Sequence, residues 1–129
     1  MTTLLDLSDE RFVSLTTFRK SGEGVSTPVW IARDGDDLYV TTPAGSGKVK
    51  RLRNEPRVEL RPSSRLGKVA DDAPVAYGVA RIDESDTTED ALNEVFIKKY
   101  GLEFRIMMGI EKVGSKRSSG RVILRITAD

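Results

Sequence analysis

The sequence predicts a mainly β domain (α+β): a partly open barrel of about six mostly antiparallel strands, with two or three helices covering its gaps. Three observations lead to this fold. Short runs rich in β-branched and aromatic residues recur along the chain, each bounded by turn residues. The first three runs follow one another through tight turns, which makes an antiparallel meander. Only three stretches, 48–54, 89–100 and 104–113, read as helices. No repeat or linker divides the 129 residues, so 1–129 is expected to form one domain. A chain of this size should bury roughly two-thirds of its unfolded surface, enough for an independent core.

Residues 4–10 can make one helical turn, with Ser8 as an N-cap ahead of Asp9 and Glu10. Residues 12–19 form the first strand, with Val13, Leu15 and Thr17 on one face and Phe12, Ser14, Thr16 and Phe18 on the other. Ser21-Gly22-Glu23-Gly24 turns the chain into a second strand, 25–33, and Asp34-Gly35-Asp36-Asp37 turns it into a third, 38–42. Pro43-Ala44-Gly45-Ser46-Gly47 breaks the strand pattern. Residues 48–54 then read as a short helix capped by Ser46 and ended ahead of Pro56. A fourth strand, 57–61, is followed by a polar loop, 62–74, and a fifth strand, 75–82. Thr88 is placed to cap the helix 89–100, whose Ala91, Leu92, Val95 and Phe96 share a stripe, and Gly101 ends it. The helix at 104–113 is interrupted by Gly109. A loop at 114–120 precedes the last strand, 121–126.

Composition removes several kinds of chemistry. The chain has no cysteine and no histidine. A disulfide framework, a thiolate nucleophile, a Ser–His triad and the common zinc ligand sets are therefore not expected, and no metal site is. An enzyme of this composition would leave the difficult chemistry to an organic cofactor. The 21 basic and 20 acidic residues nearly cancel, so no global field draws in nucleic acid or an anionic membrane. The first seven residues lack a basic n-region and an apolar h-region, and no stretch approaches a membrane span. The expectation is a cytoplasmic protein.

Two segments carry candidate chemistry. In Lys48-Val49-Lys50-Arg51-Leu52-Arg53, helical spacing turns Val49 and Leu52 inward, with Lys48 and Arg51 on one flank and Lys50 and Arg53 on the other. Gly45, Ser46 and Gly47 would let a ligand approach the helix start, where free N–H groups and the dipole favour a phosphate. The same residues also read as a solvated basic helix. They are not a P-loop, because the GxxxxGK[ST] spacing is absent. The second segment is Ser26-Thr27-Pro28-Val29-Trp30. A proline within a strand belongs at an edge or a bulge, which leaves backbone groups free for a flat heteroaromatic ring. Equally, Trp30 could be a core residue beside an edge irregularity. Thr41 and Thr42 could lend hydroxyls to a ligand, and Tyr77 could stack on a ring. Asp83, Glu84 and Asp86 read as a solvated acidic turn, and Met107-Met108 as core or dimer filling.

Taken together, Phe12-Val13-Ser14-Leu15-Thr16-Thr17-Phe18-Arg19-Lys20-Ser21-Gly22, Thr27-Pro28-Val29-Trp30 and Ser46-Gly47-Lys48-Val49-Lys50-Arg51-Leu52-Arg53 resemble, in order and spacing, the F420-dependent subgroup of the pyridoxamine 5′-phosphate oxidase-like split β-barrel proteins. The resemblance runs through the fifth strand and more loosely to the C-terminus. It implies a split β-barrel homodimer with two cofactor sites at the subunit interface. The second strand would lie along the flavin or deazaflavin ring, here at Thr27, Pro28, Val29 and Trp30, with Tyr77 a weaker candidate. The third strand and following helix would hold the ribityl phosphate through Thr41, Thr42, Ser46, Gly47, Lys48 and Arg51. Lys50 and Arg53 would meet the oligoglutamate tail of coenzyme F420, which FMN lacks. The implied activity is hydride transfer between the deazaflavin and a small organic acceptor. No residue stands out as an acid, so solvent or a substrate-positioning hydroxyl is left to supply the proton. An FMN-dependent oxidoreductase and a non-catalytic F420- or flavin-binding protein remain as alternatives. Haem storage is disfavoured by the lack of histidine, and nucleic-acid binding by the near-neutral charge.

Overall fold

The computed structural model describes residues 3–101 and 121–128. Seven strands form one sheet: β1 (Val13–Phe18), β2 (Gly24–Val29), β3 (Ile31–Asp34), β4 (Asp37–Pro43), β5 (Arg57–Pro62), β6 (Ala76–Asp83) and β7 (Arg121–Ala128). Two helices accompany them, α1 (Gly47–Asn54) and α2 (Asp86–Tyr100), and a 3-10 turn spans Leu4–Leu7. The strand order is β2-β1-β5-β6-β7-β4-β3, and every neighbouring pair is antiparallel.

The single strand expected at 25–33 is two strands that meet at Trp30. β2 lies at one edge of the sheet and β3 at the other, yet one residue separates them. The sheet must therefore curl until its two edges meet, which makes a split barrel closed by the chain itself. Pro28 sits on the edge strand β2, opposite Ser14 of β1, where its missing N–H costs no ladder bond on the open side.

Alternation sets the two faces of the sheet. Val13, Leu15, Val29, Leu38, Val40, Val58, Leu60, Leu124 and Ile126 point into the barrel, where Leu4, Leu7 and Leu52 close over them. Burying such side chains contributes roughly 1.5–3 kcal/mol each. A second cluster lies under α2, where Leu92, Phe96 and Tyr100 pack on Ala32 and Ile123 with Trp30 and Tyr39 at its border. Of the stripe read from 89–100, Leu92, Val95 and Phe96 pack as expected, whereas Ala91 is exposed, because it lies at the edge of the face that α2 turns to the sheet.

The 3-10 turn also rests on the sheet. A Cβ on Gly78 would come within 2.8 Å of the Thr127 carbonyl and 3.2 Å of Leu4 Cδ1, so only glycine fits there. Several local boundaries differ from the expected ones: β7 runs two residues further, to Ala128, and two helix starts move. Ser8 ends the first turn instead of starting one, and Thr3 and Asp6 hold its beginning through a 2.7 Å bond from Thr3 N–H to the Asp6 carboxylate. Helix α2 begins at Asp86, so Thr88 lies inside its first turn. The helix expected at 104–113, the loop at 114–120 and the Met107-Met108 pair lie outside the described residues. Among the described residues, no helix is long and apolar enough to cross a membrane.

Candidate functional site

At one end of the barrel β1 and β4 finish, β7 begins, and α1 lies across the opening. Val49 and Leu52 anchor α1 by burial, as its helical spacing requires. This orientation presents Lys48 and Arg51 to the barrel rim. Arg51 donates from Nε to the hydroxyl of Thr17 at 2.6 Å, and its guanidinium folds back over Gly47. A Cβ at Gly47 would stand 2.7 Å from Arg51 Nη1. Glycine here is therefore what allows the guanidinium to lie along the helix start.

A third cation completes the rim. Arg121 opens β7 opposite Pro43, donating from Nε to the Thr41 hydroxyl and from Nη2 to the Thr41 carbonyl, both at 2.9 Å. Lys48 stands close enough to Arg51 and Arg121 to feel both charges. Burial first, then those two cations, hold its pKa below the usual lysine range. Burial and the nearby Arg19 likewise lower Arg51, which stays charged. Among the described residues, Lys48 has no hydrogen bond and no carboxylate partner. The rim thus brings three cations together, of which Lys48 is the one without a partner among the described residues. Thr42 and Ser46 flank it, their hydroxyl oxygens 3.4 Å apart, with Thr42 buried and Ser46 half-buried.

The opposite flank of α1 behaves differently. Arg53 pairs with Glu84 at 2.8 Å, and both side chains are exposed. The acidic turn therefore does more than solvate, because it engages one of the four helix cations. Lys50 is exposed.

The β2 residues divide by face. Thr27 and Val29 point inward with Leu15 and Val13, while Pro28 points outward beside Ser14. The Thr27 hydroxyl oxygen is buried and has no hydrogen-bond partner among the described residues. An orphaned oxygen of this kind is costly unless a ligand or water satisfies it. Trp30 stacks on Tyr100, with ring centroids 4.8 Å apart and planes 13° from parallel, and meets the edge of Phe12 at 6.5 Å. These ring contacts pack Trp30 at the junction of the two sheet edges. Tyr77, 56% exposed, points outward from β6 opposite Glu59 and shares the outer face with Pro28, with β1 and β5 lying between their two strands.

The structure therefore gathers Thr41, Thr42, Ser46, Gly47, Lys48 and Arg51 at one rim. It sets Lys50 and Arg53 on the far flank of α1, and Pro28 and Tyr77 on the outer face of the sheet. Arg121 and Thr17 were not among the expected site residues. Nothing local marks them, because β4–β7 pairing brings Arg121 to Thr41 from 80 residues away.

The family model described as pyridoxamine 5′-phosphate oxidase matches residues 4–129. Three solved structures share the fold. A conserved hypothetical protein of Mycobacterium tuberculosis aligns at 24% identity and a TM-score of 0.71, over 99% of this chain and 81% of that one. An F420 reductase aligns at 18% identity and a TM-score of 0.63, over 95% and 90%. The haem storage protein HutZ of Vibrio cholerae aligns at 12% identity and a TM-score of 0.69, over 100% and 92%. No curated protein matches the sequence.

Proposed function

Because the chain belongs to the pyridoxamine 5′-phosphate oxidase family, we propose that it is an F420-dependent oxidoreductase that passes hydride between the deazaflavin and a small organic acceptor. The observation that carries this reading is the gathering of Lys48, Arg51 and Arg121 at one rim, where Lys48 is half-buried beside two like charges and has no carboxylate partner among the described residues. A ribityl phosphate suits that rim in charge and position. The N–H groups at the start of α1 add their dipole, and the Thr42 and Ser46 hydroxyls can turn toward phosphate oxygens. The buried, unpartnered Thr27 hydroxyl gives β2 a polar group able to bond a ring carbonyl or imide. When bound, the deazaflavin would supply the hydride carbon. The chain's own part is to hold the phosphate, align the ring along β2 and keep water from the acceptor.

Lys50 and Arg53 are proposed to meet the anionic tail. The exposed Arg53–Glu84 pair is worth only about 0–1 kcal/mol, so a tail carboxylate can displace Glu84 at little cost. The same pair favours a second reading, an FMN-dependent enzyme on this site, since it leaves Lys50 alone to greet a tail. A haem-binding role is disfavoured by the absence of histidine. The protein is further proposed to be a cytoplasmic homodimer, with the partner subunit completing each site.

Parallel titrations with F420 and with FMN test the proposal. Lys48→Ala, Arg51→Ala or Arg121→Ala each removes a charge-assisted bond worth roughly 1.5–3 kcal/mol, and should weaken either cofactor about 10- to 100-fold. Lys50→Ala and Arg53→Ala should weaken F420 by less and leave FMN nearly unchanged, with an effect that fades in salt. Wild-type affinity in all five variants would refute the placement. Tighter binding of FMN than of F420 would move the assignment to the second reading.

A further inference from the structure

A second constellation lies away from the cation rim, at the end of α2. Lys99 Nζ donates to the carbonyl oxygens of Ser8 at 2.8 Å and Ile31 at 2.7 Å, tying the segment after the 3-10 turn to the start of β3. The same side chain lines a surface cavity of about 340 Å³, together with Asp9, Ala32, Arg33, Val95 and Lys98. That volume lies at the small end of the ligand-sized range.

The two carbonyls constrain the chemistry of the nitrogen. An ammonium has three N–H donors and a neutral amine has two. Two carbonyl acceptors are satisfied equally well by either form. Among the described residues nothing else is hydrogen-bonded to Nζ. Its remaining tetrahedral position therefore carries either a third proton or a lone pair, without loss of either bond. The charged groups around it are Asp9, Glu10 and Arg11 ahead of β1, Arg33 on β3, and Lys98 on α2. The Tyr100 ring lies 5.2 Å from Nζ. Burial outweighs the attraction of Asp9 and Glu10, and with Arg11 it brings the Lys99 pKa down to about 8. An appreciable part of the population is then neutral amine near physiological pH.

We propose that this cavity is a covalent-capture site, in which Lys99 forms a Schiff base with a small anionic carbonyl compound of the 2-oxo acid class. Arg33 and Lys98 outnumber Asp9 at the cavity wall, which favours a carboxylate on the captured molecule. The Nζ lone pair forms a bond to the carbonyl carbon as the C=O π bond opens, and one N–H proton passes to the oxygen by way of solvent to give a neutral carbinolamine. One further proton from solvent lets that hydroxyl leave as water while the nitrogen lone pair closes the C=N bond. No oxidant or reductant is consumed. The protonated product keeps one N–H for one of the two backbone carbonyls. This site is built from elements other than the α1 rim, so it stands or falls independently of the cofactor reading.

Wild-type protein incubated with pyruvate and sodium cyanoborohydride at pH 7 and pH 8.5 should accumulate a reduced adduct, located by peptide fragmentation that separates Lys98 from Lys99. Lys99 should label roughly tenfold or more faster than a lysine of ordinary pKa, the gain expected from its lowered pKa after allowing for weaker intrinsic nucleophilicity. Acetaldehyde, which lacks the carboxylate, should label with less preference for Lys99. Lys98→Arg should keep the adduct on Lys99, and Lys99→Arg should lose it. Uniform labelling of lysines, or an adduct on Lys98 in place of Lys99, would overturn the proposal. The wild-type and Lys98→Arg results decide the matter even if Lys99→Arg folds poorly.

Discussion

Replacing Lys48 by methionine should make the protein more stable and its anion site weaker, and this opposition of signs is diagnostic. Lys48 is half-buried at the rim, and both named charges near it, Arg51 and Arg121, are positive. In the unliganded protein its charge is thus held against desolvation and against like-charge repulsion. Methionine keeps the unbranched stem and removes the charge. Because the side chain is only partly buried, solvent screening limits the gain to about 0.5–1 kcal/mol. For a chain of this size that corresponds to roughly 2–5 °C in Tm. The same substitution deletes one charge-assisted contact to a bound phosphate, a loss of roughly 1.5–3 kcal/mol or about 10- to 100-fold in affinity. Thermal unfolding followed by circular dichroism gives the first quantity, and calorimetric titration at low salt gives the second. A variant less stable than wild type would contradict the electrostatic account of the rim. One that binds phosphate-bearing cofactors as well as wild type would remove Lys48 from the site.

Two further outcomes follow from particular contacts, and a third from the proposed homodimer. Lys99 titrates near 8 in the folded protein against an ordinary 10.5, so the unfolded chain holds more protons between those values, and stability should rise with pH from about 8. Tyr100 is pushed up to about 12 by burial against an ordinary 10.0, so above about pH 10 the folded chain holds more protons and stability should fall again. Urea midpoints across pH 7–11 should trace this maximum, and a monotonic profile would contradict it. Gly78→Ala should cost roughly 1–3 kcal/mol in urea unfolding, because its Cβ would meet the Thr127 backbone and Leu4 with no room to relax. Light scattering should give twice the chain mass at micromolar concentration, and a monomer that still binds cofactor would rule out a shared site.

Most of the fold was legible because its signals are local. The first hairpin is written in the alternation of Val13, Leu15 and Thr17 and in the Ser21–Gly24 turn, and α1 is written in Val49 and Leu52. The break at Trp30 was not legible. Residues 25–33 read as a continuous strand because nothing in their side chains differs from a strand that bends sharply between two sheet edges. Pro28 did announce an edge, and β2 is one. The end of α2 at Tyr100 was legible from Gly101, but the contacts made there were hidden for a related reason. Tyr100 accepts the Ile31 N–H at 2.8 Å, and its hydroxyl lies 2.8 Å from the carbonyls of Arg11 and Ile31, partners up to 89 residues distant.

The candidate site shows the same division, and its missing member explains how the rim is built. Helical spacing alone separated Lys48 and Arg51 from Lys50 and Arg53, and the folded helix keeps that separation: one pair faces the rim, while Arg53 turns to Glu84. Arg121 carried no such signal, since an arginine at the start of a strand is ordinary. It reaches Thr41 only because β7 inserts between β6 and β4, the pairing that carries the curl of the sheet around to β3. The rim charge therefore exists only in the closed barrel: α1 supplies two cations from one turn of sequence, and the last strand supplies the third. Opening the β4–β7 seam, for example with proline at Ile123, should abolish anion binding even if α1 stayed helical. A variant unfolded at the seam that still bound phosphate would show that α1 suffices without Arg121.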